Sequence, residues 1–292
     1  GCGRTSLARF WGVRATMAQL IISDIHADIR ALDAIMEIVR DQAFIDRYGK
    51  ITRIINLGDV VGRGFHPVEV IERLLDCMEE TKLVSIMGNH DEAFLLNINI
   101  IGDVFLGEKV NSELRGNRRY MRFLKSLPQY MIDENDRILA VHGGPIDPST
   151  IREKICPNDL LYRRTWQRIS ECGYDYCDAS GYYYTPEHAL GYVSESLGRG
   201  FLTICGHEHL EACYMEVDRK PKSIIDSMIR REEVFSNHRI HIKLMMRQKG
   251  VSYLVRMGIA GSGQTLRGNS HFGLIWEQKG ADWVGLFSFT AP

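Results

Sequence analysis

Five short clusters of metal-binding side chains are spaced along this chain: Asp24 with His26, Asp59, Asn89 with His90 and Asp91, His142, and His207 with His209. Carboxylate, amide and imidazole groups hold transition metals, and a pair of such ions can attack a phosphate ester. A lone buried histidine is more often a hydrogen-bonded core residue than a ligand. Five clusters are harder to explain that way, because burying so many carboxylates and imidazoles without cations costs several kcal/mol per unpaired charge. A pair of metal ions resolves the conflict.

The elements that must position these groups are legible around them. Each cluster follows an apolar, β-rich run: Leu20-Ile21-Ile22, Ile54-Ile55-Asn56-Leu57, Val84-Ser85-Ile86-Met87, Ile138-Leu139-Ala140-Val141 and Leu202-Thr203-Ile204-Cys205. Buried strands of α/β proteins read this way, and ligands gather at the carboxyl ends of such strands. Between the first strands, Leu32, Ile35, Met36 and Val39 share one helical face, and Val70, Ile71, Leu74, Leu75 and Met78 share another. The opening topology is therefore strand, helix, strand, helix, strand.

In order, Asp24-Ile25-His26, Gly58-Asp59-Val60-Val61-Gly62-Arg63-Gly64, Gly88-Asn89-His90-Asp91, Val141-His142-Gly143-Gly144 and Gly206-His207-Glu208-His209 resemble the five blocks of the calcineurin-like metallophosphoesterases. The resemblance runs from Leu20 to the neighbourhood of Ile275. It implies an α/β metallophosphoesterase sandwich, two mixed β-sheets packed face to face with helices outside. It also implies one metal held by Asp24, His26 and His209, a second held by Asn89, His142 and His207, and Asp59 bridging the two. Mixed oxygen and imidazole ligands suit two divalent or trivalent transition-metal ions, with manganese or iron favoured and zinc, cobalt or nickel also suitable. Two such ions roughly 3.5–4 Å apart lower the pKa of a bridging water and hold the phosphoryl oxygens against it.

The same resemblance makes His90 the group that protonates the leaving oxygen and Asp91 the group that orients its imidazole. The other reading of Asp91 is a cap on a helix that starts near Glu92. Arg63 would grip two phosphoryl oxygens with its planar fork. Serine/threonine protein phosphatases and dinucleoside-tetraphosphate hydrolases carry an arginine there, and a second phosphate-binding arginine is expected within Leu161-Tyr162-Arg163-Arg164. Ala27 stands where a small phosphodiesterase-like branch has Gly, and Met87 where the protein phosphatases have Arg. Gly258 to Gln264 replaces a turn rich in Asn, Pro, Gly and Ser, with Phe272-Gly273-Leu274-Ile275 as the final sheet strand.

The expected activity is hydrolysis of a phosphoester. A phosphoprotein or a dinucleoside polyphosphate fits Arg63 and the Val141 to Pro148 stretch, whereas a phosphodiesterase acting on nucleotides or nucleic acid fits Asp91 and the double-histidine block. A non-catalytic scaffold of the same fold is the third reading, against which the complete metal and acid set speaks.

The chain has 292 residues, 45% hydrophobic and 25% charged, with a formal net charge of −1, which argues against a general nucleic-acid coat. No apolar run approaches the roughly 20 residues that span a bilayer. Seven scattered cysteines read as reduced thiols of a cytoplasmic protein, with no structural disulfide; Cys172 with Cys177 is the weaker alternative. Residues 1–16 read as a leader, a tag or a misplaced start, and 17–292 as one domain with insertions near 92–135, 146–200 and 218–250.

In the first insertion, Leu95, Leu96, Ile98, Tyr120, Phe123 and Leu124 are available to pack, and the segment could roof the site. The second is aromatic, with Trp166, Tyr174, Tyr176 and Tyr182-Tyr183-Tyr184, and is expected to pack on a sheet edge rather than stack a base. The third is the most basic and reads as a solvated helix plus an edge strand over Arg239–Leu244.

Overall fold

The structure is a computed structural model that describes residues 17–100, 108–261 and 268–290. The expectation for residues 1–16 lies outside them, as does the end of the Gly258–Gln264 turn. The chain opens with β1 (Met17–Ile22), α1 (Ile29–Arg40), α2 (Gln42–Tyr48), β2 (Lys50–Asn56), α3 (Pro67–Glu80) and β3 (Lys82–Ser85). Three helices follow, α4 (Asn89–Leu96), α5 (Glu108–Gly116) and α6 (Arg118–Lys125), then β4 (Tyr130–Asp133) and β5 (Ile138–Val141). Next come β6 (Arg168–Ile169), β7 (Tyr176–Asp178), β8 (Gly181–Tyr184), α7 (Pro186–Leu197) and β9 (Leu202–Cys205). The chain closes with β10 (Ala212–Val217), β11 (Lys220–Ser223), β12 (Ile229–Phe235), β13 (His238–Arg247), β14 (Tyr253–Arg256), β15 (Asn269–Gln278) and β16 (Ala281–Thr290).

Two mixed sheets dominate. One runs β12-β13-β16-β15-β1-β2-β3 and the other β11-β10-β14-β9-β5-β4. β1, β2 and β3 are parallel, as are β5, β9 and β14. Alternation along each strand assigns its two faces. Ile21 and Ile55 point between the sheets, into a cluster with Ile138, Leu202, Val255 and Val284. Leu20, Ile22 and Ile54 point the other way, against Leu32, Ile35, Val70 and Leu74 of α1 and α3. α7 covers the outer face of the second sheet, where Ala189, Leu190 and Val193 meet Leu139, Val141 and Leu254. Truncating a fully buried residue such as Ile21 to Ala would cost about 2–5 kcal/mol.

Local signals start and stop the helices that lead away from the strand ends. Asp28 Oδ1 accepts from Ala31 N–H at 3.1 Å and opens α1, and Thr185 Oγ1 accepts from His188 N–H at 3.1 Å and opens α7. Among the described helices none is long and apolar enough to cross a membrane.

Several expectations change. Phe272–Ile275 lies within β15, and β16 follows it, because Lys279 and Gly280 at positive φ turn the chain back into a hairpin. Arg239–Leu244 belongs to β13, which pairs on both sides; β12 is the edge, so the basic segment is a strand hairpin rather than a helix with an edge strand. A third, three-stranded sheet, β6-β8-β7, forms in the aromatic segment. There Tyr182 and Tyr184 are buried, whereas Tyr176 and Tyr183 stack at 4.3 Å near the surface. Within residues 92–135, Tyr120, Phe123 and Leu124 join the α1/α3 cluster and Leu95 packs against it, but Leu96 and Ile98 are exposed.

The reduced-thiol reading is also corrected. Cys156 and Cys177 form a disulfide with Cα atoms 5.4 Å apart, well inside the reach of the bond. The pairing was invisible to spacing because β7 folds back beside the Cys156 loop, which Tyr162 Oη also holds by accepting from Cys156 N–H. Cys172 stays free and exposed.

Candidate metal centre

Strand register sets the level of the site. Ile22 pairs with Asn56, and Asn56 with Ser85, so the chain leaves β1, β2 and β3 side by side just before Asp24, Asp59 and Asn89. The loops are then stitched together: Asp24 N–H donates to Gly58 O at 3.1 Å and His26 N–H to Asp59 O at 2.8 Å. The second sheet delivers His142 after β5 and His207 with His209 after β9. Gly206 N–H donates to His142 O at 2.7 Å, and His207 N–H donates across the sandwich to Asp24 Oδ2 at 3.0 Å.

The backbone at these positions is strained. Asp24, His26, Ala27, Asp59, Arg63, His207 and His209 all have positive φ, between 49° and 72°. Each non-glycine residue in that region costs about 1 kcal/mol or more, and such strain collects at functional sites. Ala27 at φ 53° shows why glycine is the residue expected after His26. Packing is equally close: a Cβ on Gly206 would fall on Ser23 Oγ and lie 2.6 Å from Asp24 Oδ2, so only glycine fits.

Three overlapping groups gather ligand-capable atoms within 4.8 Å of one another: Asp24, His26 and His209; His26, Asp59 and His90; Asp59, His142 and His207. Asp59 Oδ2 is 3.6 Å from His26 Nε2 and 3.4 Å from His142 Nε2. Asn89 Oδ1 is 3.1 Å from His142 Nε2. The ring nitrogens His26 Nε2 and His209 Nε2 face each other at 3.1 Å, with Asp24 Oδ1 3.3 Å from the latter. Two imidazole lone pairs at that distance repel unless a proton or a cation lies between them.

The charges fit cations. Asp24 Oδ1 and His207 Nε2 are buried without a hydrogen-bond partner, which is costly in a protein interior. His142 Nδ1 donates to Leu57 O at 2.8 Å, so its Nε2 is left to face the centre as a donor of electrons. Burial pushes the Asp24 and Asp59 carboxyls up, yet the surrounding imidazoles, His209 for Asp24 and His142 and His90 for Asp59, hold both below the usual range. Burial drives His26 and His207 well below theirs. For His142, burial is outweighed by the Asp59 charge and hydrogen bond, and its pKa rises to about 9. A cation would answer the same buried carboxylates that draw a proton onto His142.

The remaining expected residues fall as follows. His90 is buried, donates its backbone N–H to Asp59 Oδ1 at 2.9 Å, and meets the His26 ring edge-on at 4.8 Å. Asp91 does not take the His90 imidazole. Its Oδ1 accepts from Val60 and Val61 N–H at 3.0 and 3.1 Å and its Oδ2 from Gly88 N–H at 3.0 Å, so it caps α4, which starts at Asn89, and ties it to the Asp59 loop. Arg63 Nη1 is 3.5 Å from His209 Nδ1. In the stretch where a second phosphate-binding arginine is expected, both arginines contact protein: Arg163 pairs with Glu92, and Arg164 donates to Pro145 O and Asp147.

Sequence reading passed over Ser23, Glu92, Glu208 and Arg256. Ser23 Oγ donates to Asp24 Oδ2. Glu92 accepts from Thr165 Oγ1 at 2.6 Å. Arg256 closes the fully buried run Tyr253-Leu254-Val255, a cation at a strand end, and that signal was available.

Comparison with known proteins agrees with this geometry. The family model described as calcineurin-like phosphoesterase matches residues 17–211. An uncharacterized protein of Methanocaldococcus jannaschii is 28% identical over 139 residues, 44% of this chain and 50% of that protein, so the match spans half the relative's length. The crystal structure of a metallophosphoesterase from Sphaerobacter thermophilus is similar with a TM-score of 0.58 at 20% identity, covering 95% of this chain and 89% of that one. A protein serine/threonine phosphatase from Saccharomyces cerevisiae is similar at 0.51 and 16%, covering 91% and 74%. The last two likenesses are of fold. The matched span contains all five strand-end clusters, and this chain belongs to the calcineurin-like phosphoesterases.

Proposed function

We propose that the chain hydrolyses phosphoesters at a centre for two transition-metal ions, manganese or iron in first place. The observation that carries this reading is Asp59 Oδ2, placed 3.6 and 3.4 Å from the Nε2 atoms of His26 and His142, which belong to different groups. Asp24, His26 and His209 would hold one ion, Asn89, His142 and His207 the other, and Asp59 both. When bound, the pair lowers the pKa of a water and neutralises phosphoryl charge.

The chain's own groups supply the rest. Arg63, beside His209, offers a planar pair of donors to the phosphoryl oxygens. His90, buried against Asp59 and His26, passes a proton to the leaving oxygen. Asp91 fixes the Asp59 loop to the helix that carries Asn89 and His90, which holds these groups at constant distance. Arg63 fits the densely charged phosphates of a phosphoprotein or a dinucleoside polyphosphate.

Manganese-supplemented hydrolysis of an aryl phosphate monoester and the matching diester, beside Asp59→Asn, tests this. Monoester preference supports phosphatase work, and diester preference moves the assignment to a nucleotide phosphodiesterase. Full metal binding with no turnover of either ester would sink the enzyme and leave a scaffold.

A further inference from the structure

The turn that carries His207 and His209 is gripped from behind. Both histidines have left-handed backbone, at φ 72° and 63°, with Glu208 between them. Such a turn relaxes unless something holds it. Arg256, whose side chain is 3% exposed at the end of β14, grips it on both sides of His209: Nη1 pairs with Glu208 Oε2, and Nε donates to Leu210 O at 2.7 Å. Glu208 Oε2 also accepts from Ile169 N–H at 2.9 Å.

Ile169 ends a strap, residues 163–169, that touches two other ligand-bearing blocks. Arg164 O accepts from Gly143 and Gly144 N–H at 3.0 and 2.9 Å, next to His142. Arg163 Nη1 and Thr165 Oγ1 donate to Glu92 at 2.8 and 2.6 Å, two residues beyond His90. Gln167, fully buried, pins the middle by donating to Ile146 O and Tyr162 O at 2.7 and 2.8 Å. One short segment thus connects the third, fourth and fifth clusters.

We propose that Arg256 and Glu208 are positioning residues for His207 and His209: their half-buried ion pair, anchored on the strap through Ile169, sets where both rings meet the metals. The proposal rests on the two-metal reading above. A guanidinium is needed because its planar fork reaches a side chain and a carbonyl together, which a lysine ammonium does not. Partners standing behind metal ligands fix ring orientation, and their loss lowers metal affinity about 10- to 100-fold.

Cobalt(II) is the probe, because its visible absorption reports the ligand geometry around it. Calorimetric titration and the cobalt spectrum are recorded for the wild type, Arg256→Lys, Glu208→Gln and Arg53→Met. Arg53 pairs with Asp133 at the far end of the sheets and serves as a half-buried ion pair away from the centre. Arg256→Lys and Glu208→Gln should each weaken cobalt binding about 10-fold or more and shift its absorption, with Arg53→Met unchanged on both readouts. Wild-type affinity and spectrum in both variants would overturn the positioning role while leaving the two-metal reading intact. Failure of the wild type to bind cobalt would overturn both. Glu208→Gln keeps an oxygen for Ile169 N–H, and if Arg256→Lys does not fold it decides the question alone.

Discussion

The two ends of the same strands are built on opposite principles. At the carboxyl ends, Asp24 Oδ1 and His207 Nε2 are buried with no hydrogen-bond partner, and imidazoles face one another at 3.1 Å. At the amino ends lies a cleft of about 1210 Å³ lined by Met17, Gln19, Arg53, Asp133, Asp136 and Arg247. There Arg53 pairs with Asp133, Gln19 Nε2 donates to Asp136 at 2.7 Å, and Arg247 donates to the carbonyls of Asp136, Arg137 and Gly200. Left-handed residues follow the same division. Arg137 and Lys279 at the cleft sit in hairpin turns that call for them, whereas those at the other end include the candidate ligands Asp24, His26, Asp59, His207 and His209. At the cleft Arg53 finds a carboxylate partner, although its Nε and Gln19 Oε1 are also buried without a hydrogen bond; the centre crowds two carboxylates among five imidazoles.

The sharpest break of this contrast is Asp59→Asn, which removes the carboxylate charge shared by the groups of His26 and His142. A fall in kcat/KM on the order of 10³-fold, about 4 kcal/mol, is expected in steady-state assays with manganese. Near-normal activity would mean that Asp59 does not join them. Chelation comes next. A ligand present at about 100 times its Kd stabilises by about 2.7 kcal/mol, so EDTA should lower Tm by several degrees, reversibly on adding manganese. An unchanged melting curve would show that the centre is content without cations.

At the cleft, Arg53→Met should cost about 2 kcal/mol in urea unfolding, less than the roughly 3–5 kcal/mol for breaking a fully buried pair. Its activity should stay within twofold of wild type, and its loss of stability should add to that of chelation, because the ends share no partners. The smallest effect concerns Asp175, outside both regions. Burial raises its carboxyl, but bonds from His188, Tyr182 and Thr185 N–H hold it below 3.8. Its contribution is therefore complete above about pH 4 and disappears as pH falls through the lower folded value. Asp175→Asn should flatten the fall of Tm below pH 4 and leave the neutral-pH curve shape unchanged; a parallel acid limb in both proteins would refute this.

Much of this was legible in residue order. The runs ending at Ile22, Leu57, Val141 and Cys205 became β1, β2, β5 and β9 or the residue just past them, because buried strands advertise themselves by unbroken apolar character. The sandwich with outer helices was implied by the family resemblance, and helical faces such as Leu32 to Val39 agreed with it. The types of the converging residues were legible for the same reason: a polar cluster after a buried strand is a local pattern.

What tertiary structure decided has no local pattern. Arg256 meets Glu208 across 48 residues, Cys156 meets Cys177 only because β7 folds back beside the Cys156 loop, and Asp91 Oδ1 accepts from amides of a loop 30 and 31 residues earlier. Side-chain type and apolar period act over a few residues, so sequence alone determined the strands and the chemistry placed at their ends. Which partner each charged group finds depends on register, crossover path and close approach, which exist only once the sheets have packed.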